Sequence, residues 1–121
     1  MRDYLIRGTA EEGLLRVFAV EATGVVDELR RRHGTLPTAT AALGRTAIAG
    51  LMMGAMLKGE EKLTLQVKGD GPIGQIVVDA DAHGDVRGYA DNPDVHLPSN
   101  ALGKLDVAGA VGTEGHIYVI K

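Results

Sequence analysis

Apolar and polar residues alternate along several short stretches of this chain, which is the pattern of half-buried β-strands. The alternation is cleanest over residues 62–68, where Leu63, Leu65 and Val67 face one side. The same reasoning predicts strands at 4–7, 14–22, 75–81 and 85–91, and a last strand that starts at Ile117. Both faces of the strand at 14–22 are apolar, so we expect it to be central in a sheet.

A short helix is predicted at residues 23–33. Thr23 is the candidate N-cap, and Gly34 is placed to end the helix. The basic run Arg30-Arg31-Arg32 falls in the last turn, where positive charge complements the C-terminal end of the helix dipole. A contact with an anion or a nucleic acid is the alternative interpretation of this run.

A second helix, predicted at about 38–57 with Thr38 or Thr40 as its cap, is apolar nearly all round. Such a helix is either buried or spans a membrane. Its uninterrupted apolar stretch is shorter than the roughly 20 residues that a bilayer requires, so we predict a buried central helix. Gly50 and Gly54 share one face, and this spacing predicts that a neighbouring element approaches closely.

The C-terminal half of this helix carries three methionines, Met52, Met53 and Met56. Methionine commonly fills gaps in a core, and it also forms adaptable binding surfaces. Together with Ile117 and Val119 of the last strand, these methionines are the candidate surface for a protein partner. The core interpretation of the methionines remains open beside this one.

The glycine-rich stretch 69–74 predicts a turn of the sheet. It lacks the Lys-Ser/Thr of a phosphate-binding loop, and a strand rather than a helix follows it. Residues 92–115 are expected to be mostly loop. The chain stops inside or just after an apolar strand, from which we expect it to be a piece of a longer protein.

The composition excludes several classes of function. The net charge is −3 with acids and bases well mixed, and aromatic residues make up 3% of the chain, so nucleic-acid binding has little support. There is no cysteine, which excludes disulfides and thiolate metal sites within the chain. The N-terminus does not resemble a signal peptide, and we expect a cytoplasmic location with no membrane span.

Five aspartates, at positions 79, 81, 85, 91 and 94, crowd a short region. One interpretation is an acidic sheet edge that discourages strand pairing. The alternative is a domain that uses the Asp79–Asp94 cluster to bind a cation or a small molecule. Ser99 is the only serine, and no sequence motif places a base beside it, so we expect neither an enzyme nor a bound cofactor.

The run Lys68–Gly74, followed by Val77–Ala80, Gly84–Tyr89 and Asn92-Pro93, closely resembles the core of the heat-shock protein 33 family. The segments from Ala41 to Arg45 and from Met52 to Lys58 resemble that family's central helix, and Asp3–Leu5 with Val17–Thr23 also match. The resemblance covers essentially the whole chain in the same order.

The resemblance implies an ATP-independent holdase that binds unfolding client proteins under oxidative and heat stress. Members carry a redox switch of four zinc-binding cysteines near the C-terminus. Residues 1–121 do not include these cysteines. We therefore expect residues 1–121 to be the N-terminal portion of the chaperone core domain. The implied partners are unfolded clients and a second copy or the remainder of the protein. The expected fold class is α+β, with a mostly antiparallel sheet around a buried central helix. A purely structural scaffold is a further alternative.

Overall fold

The structure, a computed structural model, describes residues 2–121. Its strands and helices follow one another as β1 (Tyr4–Ala10), β2 (Leu15–Glu21), α1 (Thr23–His33), α2 (Pro37–Gly54), β3 (Lys62–Gly69), β4 (Gln75–Asp81), β5 (Val86–Ala90), α3 (Val107–Val111) and β6 (Gly115–Ile120). All strand pairs are antiparallel. The expected α+β class is therefore confirmed.

The larger sheet has four strands in the order β5-β4-β3-β6. Leu65 of β3 lies opposite Val78 of β4 on one side and opposite Val119 of β6 on the other. Directly opposed residues point to the same face of a sheet, so these side chains form one apolar row. The predicted alternation at 62–68 and the strand at 75–81 are both confirmed.

Helix α2 covers this apolar face, and two of its glycines make the contact possible. A Cβ atom at Gly50 would lie 2.8 Å from Cγ1 of Val78, and one at Gly54 would lie 2.5 Å from the carbonyl oxygen of Asp81. Among the fully buried large side chains are Leu43 of α2 and Val78 of the sheet. The predicted buried helix and close approach are confirmed, although α2 ends at Gly54 rather than near residue 57.

The cap of α1 differs from the prediction. Ala22 occupies the N-cap position, and the Thr23 hydroxyl donates to Glu21 at 2.8 Å. The helix N-terminus is capped by Asp3, whose carboxylate accepts from the backbone N–H groups of Gly24 at 2.9 Å and Val25 at 2.7 Å. A carboxylate is favourable there because it satisfies free N–H donors and complements the helix dipole. Gly34 ends the helix in the left-handed conformation, with φ of 63°, as predicted.

Removing this remote cap should weaken the fold measurably. We expect Asp3→Ala to lower the free energy of unfolding by about 1 kcal/mol, the usual cost of losing an N-cap side chain. Urea denaturation followed by circular dichroism measures the change, with Thr23→Ala as the matched control. If Thr23→Ala costs more than Asp3→Ala, Asp3 is not the cap.

The start of α2 also corrects the prediction, because neither threonine is its N-cap. Leu36 holds that position and Pro37 begins the helix. Thr38 is fully buried, and its hydroxyl oxygen accepts from the N–H of Leu97 at 3.2 Å and lies 3.0 Å from Nδ1 of His96. Thr38 therefore connects α2 by hydrogen bonds to the segment that follows β5.

One further expectation is wrong. Strand β2 is not central: it pairs with β1 in a separate two-stranded sheet, and Val17 is 58% exposed. The stretch 92–115 is mostly loop, as expected, and its one helix is the short α3, whose N-terminus is capped by the carboxylate of Asp106 accepting from the N–H of Gly109 at 2.9 Å. No helix in the described part of the chain combines the length and hydropathy needed to cross a membrane.

Candidate functional site

The outer face of the β1–β2 hairpin is apolar and open to solvent. The register places Gly8 opposite Val17 and Ala10 opposite Leu15, so alternate residues of both strands share this face. The exposed side chains on it are Tyr4, Ile6, Leu15 and Val17, each more than half exposed. The sequence pattern does not reveal this surface, because apolar residues on both faces of a strand are also typical of a central strand.

Strand β6 forms a second exposed apolar surface at the edge of the larger sheet. Ile117 and Val119 point to the same face as the core of β3 and β4, yet they are 68% and 46% exposed. Within residues 2–121, β6 pairs only with β3, so its other edge presents unpaired backbone groups. Such an edge favours pairing with another chain.

The three candidate methionines lie at or just after the C-terminal end of α2. Met52 and Met53 are half-buried, and Met53 packs against the core. Met56 follows the helix and is 46% exposed. Met53 therefore fills the core as the first interpretation proposed, whereas Met56 offers an adaptable apolar side chain to solvent.

The acidic region is not a sheet edge, because Asp79 and Asp81 belong to β4, an inner strand. The carboxylate of Asp79 accepts from the Thr64 hydroxyl at 2.6 Å and lies 3.4 Å from Nε of Arg87. These contacts join β4 to both of its neighbours. The interpretation as an edge that prevents strand pairing is therefore wrong.

Asp81 organises the turn between β4 and β5. Its carboxylate accepts from the backbone N–H of His83 at 2.8 Å and of Asp85 at 3.1 Å. No group of three His, Asp or Glu side chains within residues 2–121 is arranged to hold a metal ion. The aspartates thus act as turn and cross-strand acceptors, which gives the cation-binding alternative no geometric support.

The charge on Asp81 should make this turn sensitive to acid. The N–H of Asp85, followed by that of His83, stabilises the carboxylate and holds its pKa below the ordinary 3.8 despite partial desolvation. A carboxyl group with a lowered folded-state pKa contributes stability above its unfolded pKa, and this contribution is lost as pH falls through the folded-state pKa.

We expect Asp81→Asn to lower Tm at pH 7. The difference in Tm between this variant and the parent should be smaller below about pH 3.8. Thermal melts between pH 7 and 2.5 measure this, and exposed Asp94→Asn is the control. A difference independent of pH would contradict it.

The basic run of α1 is engaged in ion pairs on its own helix. Arg30 contacts Asp27 at 2.8 Å, while Arg31 and Arg32 contact Glu28 at 2.6 and 2.7 Å. The hydrogen bond from Arg30 lowers the pKa of Asp27, and that from Arg32 lowers the pKa of Glu28. The run lies in the last turn of α1, which supports its interpretation as a helix-terminal cluster.

A cleft of about 1110 Å³ lies between α1 and the β4–β5 hairpin. Its lining includes charged groups that already pair with each other, namely Glu28 with Arg32 and Asp79 with Arg87. A small-molecule ligand would have to compete with these pairs. The cleft is therefore a weaker candidate site than the exposed apolar surfaces.

The sequence model of one family, described as Hsp33 protein, matches residues 3–121 of this chain. The chain is 58% identical over 121 residues to the 33 kDa chaperonin of Bacillus cytotoxicus, covering all of this chain and 42% of that protein. It is 56% identical over 119 residues to the 33 kDa chaperonin of Bacillus subtilis, covering 98% of this chain and 41% of that protein. The chain thus spans about two fifths of the length of these relatives.

The fold matches a solved structure of the same kind. The crystal structure of the 33 kDa chaperonin (heat shock protein 33 homolog) of Thermotoga maritima superimposes with a TM-score of 0.87 at 34% sequence identity. The match covers 96% of this chain and 44% of that one. The sequence match and the structural match both extend over nearly the whole chain. The chain belongs to the Hsp33 family.

Proposed function

We propose that this chain is part of an ATP-independent holdase chaperone, which binds unfolding proteins under oxidative and heat stress. The observation that carries the proposal is the similarity of the whole chain to proteins named 33 kDa chaperonin. The exposed apolar faces of the β1–β2 hairpin and of β6 support it, because such faces attract the apolar segments that unfolding proteins expose.

The proposed client or partner surface comprises Met52, Met53, Met56, Ile117 and Val119. We add the outer face of the hairpin to it, since Ile6 and Val17 are as exposed as the residues of β6. Burying such side chains contributes roughly 25 cal/mol per Å² of apolar area, without a requirement for a particular client sequence. This supports binding of many different unfolding proteins, and also association with a second copy or with the remainder of the protein.

Suppression of aggregation tests the proposal directly. The chain, added in excess to a thermally unfolding client enzyme, should reduce light scattering in the absence of ATP, because client segments bind the exposed apolar faces. An inert folded protein at equal concentration is the control. Client aggregation that proceeds equally with the chain and with the control protein would refute the proposal.

We further propose that the chaperone activity of this chain responds to neither oxidant nor reductant and needs no cofactor. The chain contains no cysteine, so a zinc-binding cysteine switch of the kind the family carries would have to lie outside it. Aggregation suppression should be equal after treatment with peroxide or with dithiothreitol. A rise with peroxide that persists after enzymatic reduction of methionine sulfoxide would contradict this expectation.

We also propose that the chain works in the cytoplasm and catalyses no reaction. Ser99 is exposed and hydrogen bonds to no histidine within residues 2–121. A nucleophile needs a base within hydrogen-bond reach, so the arrangement does not favour hydrolysis. A specific turnover that disappears in Asp79→Asn or Asp81→Asn would support the small-molecule alternative instead.

A further inference from the structure

An apolar groove of about 650 Å³ lies between α1 and α2, away from the two exposed strand surfaces. The connection between the helices and the loop before α3 contribute to its walls. Its apolar lining consists of Val26, Leu36, Pro37, Ala41, Ile48 and Leu105. Leu36 and Leu105 are 44% and 38% exposed, so the groove is open to solvent.

Close packing of the two helices shapes the groove. A Cβ atom at Gly44 of α2 would lie only 2.8 Å from Cγ1 of Val26 of α1. The missing side chain at Gly44 therefore lets the two helices approach. Because this contact lies among buried residues of α2, the groove is a preformed feature of the fold.

The two threonines in the wall offer few polar groups to a ligand. Oγ1 of Thr40 donates to the carbonyl oxygen of Leu36 at 2.9 Å, and the hydroxyl of Thr35 lies 2.6 Å from the same Oγ1. Either hydroxyl can be the donor in this pair, and the carbonyl oxygen of Thr35 is a further acceptor, 3.2 Å from Oγ1 of Thr40. Both hydroxyls are thus satisfied internally, and the groove offers chiefly apolar contact.

The charge on the groove is positive, although the chain as a whole carries −3. Arg30 and Arg45 line it, and no acidic residue does. Arg30 is paired with Asp27. Arg45 is exposed and has no carboxylate within ion-pair distance in residues 2–121, so its guanidinium is available to an incoming carboxylate.

We infer that this groove binds client segments in which apolar side chains stand beside a carboxylate, with the apolar side chains between α1 and α2 and the carboxylate on Arg45. The inference rests on the proposed function and specifies which segments of an unfolding protein are preferred. An arginine can hold a carboxylate through two parallel hydrogen bonds, which selects acidic over basic flanks. The groove supplies the apolar contact, and Arg45 supplies the selectivity.

Two synthetic peptides with the same leucine-rich core test this, one flanked by aspartates and the other by lysines. Calorimetry with the 121-residue chain should give a Kd roughly two- to fivefold lower for the acidic peptide at low salt, because exposed charge pairs have modest effects. Arg45→Glu should abolish or reverse this preference, and Arg45→Gln should remove it. Arg16→Glu, with the same change of net charge on the hairpin, should leave it intact. Chemical shifts of the Leu36 and Ile48 methyl groups should change on binding.

Each outcome separates this inference from the proposed function. Equal affinity for both peptides, or a preference that survives Arg45→Glu, overturns the groove assignment even if the chain suppresses aggregation. A chain that prefers the acidic peptide through Arg45 but fails to suppress aggregation refutes the holdase proposal and leaves the groove assigned. Binding of a fatty acid with no binding of either peptide overturns the inference.

Discussion

Replacing Gly50 by leucine should destabilise the chain by about 1–3 kcal/mol, because it overpacks the contact between α2 and the sheet. A Cβ atom alone would lie 2.8 Å from Cγ1 of Val78, closer than van der Waals contact allows. Val78 is fully buried, so it has little room to move. Urea denaturation monitored by circular dichroism measures the change in the free energy of unfolding.

The matched control is Gly8→Leu, in strand β1. A Cβ atom at Gly8 would meet no other atom within 4 Å, so the same substitution there introduces no overpacking. We expect Gly8→Leu to change stability much less than Gly50→Leu. Equal stability of the Gly50→Leu variant and the parent would contradict the close approach of α2 to β4.

A single aspartate on β6 should shift the chain from dimers or larger species towards monomer. We expect the parent to self-associate, because β6 combines an unpaired edge with the exposed side chains of Ile117 and Val119. Ile117→Asp places a charge on this face, and a charge would have to be desolvated in any interface built there. Static light scattering over a dilution series measures the mass of the species.

The control for this prediction is His116→Asp, on the opposite face of the same strand. It adds a similar charge without changing the face that Ile117 occupies. Client binding should fall together with association in Ile117→Asp, because Ile117 belongs to the surface proposed for both. A parent that stays monomeric at high concentration and binds no hydrophobic dye would refute this account of β6.

Much of the larger sheet could be predicted from residue patterns because its signals are local. Alternation sets the faces of β3 and β4, and the turn at His83-Gly84 joins two strands that are neighbours in sequence. Residue patterns do not predict which of the five candidate surface residues are exposed. Ile117 and Val119 are exposed on one face of β6, whereas Met53 packs against the core.

The hairpin face escaped prediction because the position of a strand in a sheet is not a local property. Leu15 and Val17 are of residue types common in buried strands, and nothing near them in sequence shows that β2 pairs only with β1 within residues 2–121. The cap of α1 is a similar case, since Asp3 lies 21 residues before Gly24. A propensity rule favours Thr23 because it considers only adjacent residues.

The family, the α+β class and the burial of α2 could be predicted from the sequence, because they follow from motifs and from apolar periodicity. Only the tertiary structure shows which surfaces are open, that Thr35 and Thr40 are hydrogen-bonded internally, and that Arg45 makes no ion pair within residues 2–121. Those properties depend on the elements that come together in space. The groove beside Arg45 therefore has no signature in the sequence, because its walls come from α1, α2 and a loop more than fifty residues further along the chain.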